Sequence, residues 1–122
     1  MRLWAFGLAV AAAGSSASAM PVSAFLAKMD TLMKEGRLAT MTSDAAVVKK
    51  ELQDDAAALR AERLAAAQAG KTPAYCPDPE APQPTGAEII LGLKQVPQAD
   101  QSKIEVKDAL RAYLAKRFPC TK

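Results

Sequence analysis

Residues 42–73 read TSDAAVVKKELQDDAAALRAERLAAAQAGKTP, the longest helical pattern in the chain. Ser43 is placed to cap a helix, Asp44 lies where a first turn favours negative charge, and Gly70 followed by Pro73 supplies a stop. Alanine has the lowest cost of any residue in a helix, so one helix of about 26 residues is expected over 44–69. On its wheel Ala45, Val48, Leu52, Ala56, Leu59 and Ala66 form one stripe, broken by Arg63. Lys49, Lys50, Glu51, Asp54 and Arg60 fall on the other side. Asp54 and Asp55 are adjacent on this charged helix and are expected to be solvated, because catalytic carboxylates need environments that separate their pKa values.

Downstream, TPAYCPDPEAPQPTG (72–86) carries prolines at 73, 77, 79, 82 and 84. Fixed φ angles and missing N–H donors exclude helix and central strand, so 73–85 reads as an extended connector. It is either a stiff spacer pinned by Cys76 or a ligand for a proline-recognition groove; the anchoring cysteine favours the spacer. TGAEIILGLKQVP (85–97) opens with the capping box Thr85-x-x-Glu88 and places Ile89, Ile90, Leu93 and Val96 on one face. A helix over 86–95 follows, in which Gly92 marks a close helix contact or a local weakness. In QADQSKIEVKDALRAYLAKRFPC (98–120), Ser102-x-x-Glu105 resembles a cap. Val106, Ala109, Leu110, Tyr113 and Leu114 share a face that Ile104 does not, so a turn at 98–104 and a helix over 105–117 are expected.

Upstream, PVSAFLAKMDTLMKEG (21–36) has Phe25, Leu26, Met29, Leu32 and Met33 at helical spacing, with Ser23 as an expected N-cap and Gly36 as a stop. That is a helix over 22–35. No stretch alternates as a strand would. The fold class is all-α: a small four-helix domain with a Pro-rich connector and one disulfide.

The first residues, MRLWAFGLAVAAAGSSASAM, have one early basic residue, Arg2, and then an apolar run of about eleven residues, shorter than the roughly twenty a spanning helix needs. Ala17-Ser18-Ala19 fits a signal-peptidase site, so 1–19 is expected to be a secretory signal cleaved after Ala19, leaving 20–122 as one exported domain without a stable membrane anchor. Cys76 and Cys120 are the only two cysteines. Export would place them where disulfides persist, and they are expected to pair, an intermolecular bond being the alternative. Closing a loop of roughly 45 residues would contribute roughly 4 kcal/mol in the chain-entropy model. The domain has few aromatic residues (Phe25, Tyr75, Tyr113, Phe118), so its core must draw on aliphatic residues and alanine, and a staple helps so short a chain.

Candidate chemistry is sparse. The chain has no histidine, which removes the usual activating base for serine or cysteine and a common zinc ligand. Asp78 and Glu80 are too few for a calcium cage. Ser23, Ser43 and Ser102 read as caps, Tyr113 as core, and Met29, Met33 and Met41 as gap-filling core residues rather than an adaptable contact surface. A net charge of +3 without a basic stripe argues against nucleic acid. No catalytic, cofactor or metal site is expected, and no enzyme activity.

Taken together, Cys76-Pro77, Ile89 to Leu93, Pro97, Ala109-Leu110 and Phe118-Pro119-Cys120 resemble the C-terminal half of the Tai-type immunity proteins of type VI secretion systems, over 75–120. The resemblance implies a helical, disulfide-containing periplasmic protein that binds and neutralises a toxin effector such as a cell-wall amidase. Between Met20 and Pro73 the chain lacks the family's Cys-x-x-Tyr-x-x-Gly element and further cysteines, and no inhibitory-loop residue carries over. The expectation is a periplasmic binding protein, monomer or homodimer, that inhibits a protein partner by steric contact. The alternative is a stand-alone structural or envelope-stress protein.

Overall fold

The computed structural model describes residues 20–36 and 42–120; the expected signal segment 1–19 and Met41 lie outside them. The fold is all-α. Its helices are α1 (Val22–Glu35), α2 (Ser43–Gln68), α3 (Gly86–Lys94) and α4 (Val106–Arg117), with a 3-10 turn, Gln98–Asp100, between α3 and α4. Helix α4 packs against each of the other three, α1 meets α2 and α3, and the connector lies outside any regular element.

Helix starts are satisfied in two different ways. At α2 the cap is Thr42, not Ser43: its side chain accepts from the Ala45 N–H at 3.3 Å. Thr85 caps α3 through the Glu88 N–H at 3.1 Å. The Glu88 carboxylate does not complete a capping box; it pairs with Arg117 of α4 at 2.9 Å.

Helices α1 and α4 have no side-chain caps, so Ser23 and Ser102 do not play the part expected of them. Residues around Pro21 and Glu105 instead run antiparallel. The Val22 N–H donates to Ile104 O at 2.9 Å, Ser23 N–H to Gln101 O at 2.8 Å, and Val106 N–H to Met20 O at 2.8 Å. Backbone carbonyls from a distant segment thus take the donors a cap would otherwise serve. The same bonds join the start of α1 to the start of α4. Gly36 and Gly70 end their helices at φ 63° and 69°, the left-handed region that glycine enters freely.

The core has two parts. One gathers Val22, Phe25, Leu32, Val48, Leu93, Val106 and Ala109 where α1, α2, α3 and α4 converge. The other gathers Leu59, Tyr75, Leu110 and Phe118 beneath the connector, and half-buried Ile89 packs against both. The Cys76–Cys120 disulfide seals the second cluster, with Cα atoms 5.0 Å apart. Beside it the Cys76 N–H donates to Phe118 O at 2.8 Å. Among the described residues no helix is long and apolar enough to cross a membrane.

Candidate functional site

Helices α3 and α4 approach closely because Gly92 has no side chain. A Cβ there would stand 2.5 Å from Cδ2 of Tyr113. The Tyr113 ring therefore lies across the α3 backbone, and a groove opens on either side of it. Two adjoining hollows of about 440 and 330 Å³ share Gly92, Gln95, Tyr113 and Lys116. Val96, Ile104, Ala109 and Ala112 supply an apolar floor, and Leu91 stands on the rim at 60 % exposure.

Charge on the rim is uneven. Asp108 is engaged by Arg111 at 2.8 Å and Glu88 by Arg117 at 2.9 Å. Lys103 and Lys116 line the groove, and their side chains form no ion pair among the described residues. An apolar floor with unpaired ammonium groups suits an apolar segment of a partner flanked by carboxylates.

Helix α2 carries the second unusual feature. Glu51 and Asp55 are 4 % and 2 % exposed. This corrects the expected solvation of Asp55 and the placement of Glu51 on the charged side. The buried face of α2 runs Val48, Glu51, Asp55 and Leu59, while Ala56, assigned to the core stripe, is exposed. Residues 51 and 55 are one turn apart, so the two carboxyls adjoin in the seam.

Burial pushes Glu51 up to about 7, helped by a hydrogen bond to Asp55 and by the charges of Asp55, Asp54 and Glu105. Burial also raises Asp55, opposed by the bond from Glu51 and by Lys107. Both signs describe one shared proton, with Glu51 donating and Asp55 accepting. Oε1 of Glu51 and Oδ2 of Asp55 are left without a protein partner. Neither residue lines the α3–α4 groove.

Cys76 and Cys120 are joined, as expected of the only two cysteines in the chain. Asp78 closes a local turn, its Oδ1 accepting from the Glu80 N–H at 2.9 Å. Met29 packs against the first cluster, but Met33 is 68 % exposed and fills no gap. No group of acidic, histidine or cysteine residues among those described is arranged to hold a metal ion. The chain matches no protein-family model, no curated protein and no solved structure.

Sequence reasoning identified Gly92 and Tyr113 but not the groove they open. The available signal was Leu91, an apolar residue on the outward side of α3 next to a glycine.

Proposed function

We propose that this is an exported periplasmic binding protein that neutralises a secreted toxin enzyme by steric contact, as an immunity factor does, and that it performs no catalysis itself. The α3–α4 groove carries the reading. Its apolar floor, exposed Leu91 and unpaired Lys103 and Lys116 are the features of a protein-contact surface. It lies within the segment that resembles the Tai-type immunity proteins. The Cys76–Cys120 bond agrees with an oxidising compartment.

The test is capture of the enzyme encoded next to this protein by the purified oxidised chain, paired with deletion of the gene in cells exposed to neighbours producing that enzyme. Binding, its loss in Leu91→Glu, and sensitised cells are the expected results. No capture together with unchanged survival would refute the proposal.

A further inference from the structure

A third hollow, of about 270 Å³, lies between α2 and the connector. Its apolar walls come from Tyr75, Leu110, Leu114 and Phe118, most of the second core cluster. Its polar groups are Arg60 and Arg63 of α2 and Gln83 of the connector, and no acidic residue lines it. Residues 60 and 63 are three apart, so both guanidinium groups leave the same side of the helix.

These arginines are not neutralised. Glu62, their nearest acidic neighbour in the chain, is held by Arg111 through two hydrogen bonds of 3.0 and 2.8 Å. Neither Arg60 nor Arg63 forms an ion pair among the described residues. The Nε of Arg63 is shielded from solvent and has no hydrogen-bond acceptor. The guanidinium carbon stands 5.8 Å from the centre of the Tyr75 ring. The shielded Nε is closed to a ligand, but the outer guanidinium nitrogens are not shielded and have no protein acceptor among the described residues, so a carboxylate entering the hollow can pair with them. The volume and apolar lining limit the rest of the ligand to one small hydrophobic or aromatic body.

We propose that this hollow binds a small organic carboxylate, its oxygens on Arg63 and Arg60 and its apolar body against Tyr75 and Phe118. The disulfide holds those two rings in place, since Cys76 adjoins Tyr75 and its N–H donates to Phe118 O at 2.8 Å. The disulfide thus supports the wall of the site. It is separate from the α3–α4 groove and stands or falls without the immunity reading.

Titration calorimetry and tyrosine-amide chemical shifts on the oxidised chain, with 3-phenylpropanoate and its uncharged amide as probes, test it. The carboxylate should bind saturably and at least about tenfold more tightly than the amide, the size expected of one charge-assisted hydrogen bond. Arg63→Gln should lower affinity for the acid and leave the amide unchanged. Arg60→Gln, at an exposed position, should do the same to a smaller degree. Lys116→Gln, in the other groove, should change nothing. Equal binding of acid and amide, an effect of Lys116→Gln as large as that of Arg60→Gln, or no saturable binding of the acid would overturn the proposal.

Discussion

A carboxyl group 4 % exposed, as Glu51 is, keeps its proton because the ionised form would lose its hydration and face the charge of Asp55. In the unfolded chain the same group ionises near pH 4.3. Its folded value, about 7, is higher. Between those two values the native state binds more protons than the unfolded state, so unfolding free energy falls as pH rises through this window. The loss is at most about 4 kcal/mol, from the energy equivalent of each pKa unit. Glu51→Gln keeps a donor for Asp55 and removes the titration. Melting temperature against pH from 5 to 8 should fall for the wild type and stay level for the variant, which should be the more stable of the two at pH 8. A wild type that gains stability across that range would show the Glu51 carboxylate to be solvated.

Helix pairs add constraints that no single residue reveals. Gly92→Ala should raise the intrinsic propensity of α3 by up to about 1 kcal/mol. The new methyl group would lie 2.5 Å from Tyr113 Cδ2, and overpacking of this kind costs about 1–3 kcal/mol. A net loss of stability is expected, recovered by adding Tyr113→Leu; chemical denaturation of the single and double variants checks it. A single variant more stable than wild type would mean that Tyr113 swings aside freely. Leu59→Ala and Leu110→Ala remove residues 1 % and 4 % exposed and should each cost about 2–5 kcal/mol. Helix positions were legible in the sequence because apolar spacing and Gly or Pro stops are local properties, and all four helices lie within a residue of their expected bounds. Which face of α2 turns inward was not legible. Alanine gives a weak wheel signal, and the burial of Glu51 and Asp55 depends on α4 lying across them. The missing caps at α1 and α4 have the same cause, since the carbonyls serving those starts belong to the other helix's approach. The groove was hidden because Leu91 falls outside the Ile89, Ile90, Leu93 and Val96 face, and its position alone does not show which surface lies beside it until α3 is docked.

The whole molecule consists of two core clusters with unequal support. The first is tied by the Met20–Val106 and Val22–Ile104 backbone bonds and by converging helices. The second lies under a connector without regular structure, and Cys76–Cys120 closes it beside Tyr75 and Phe118. Cutting that bond, by reduction or by Cys120→Ser, should remove up to roughly 4 kcal/mol in the chain-entropy model. A domain of this length melts about 4–8 °C lower for each kcal/mol lost, so the full loss would lower the midpoint by about 16–32 °C. The loss should also be uneven. In hydrogen exchange on the reduced protein, the Cys76 amide, bonded to Phe118 O at 2.8 Å, and the Phe118 amide, bonded to Leu114 O at 2.8 Å, should lose protection first. Amides in the body of α1, and that of Val106, should keep most of theirs, because no part of their support passes through the sulfurs. If protection fell equally in α1 and around Phe118, the clusters would form one cooperative unit, and the disulfide would stabilise the entire bundle and not the connector side alone.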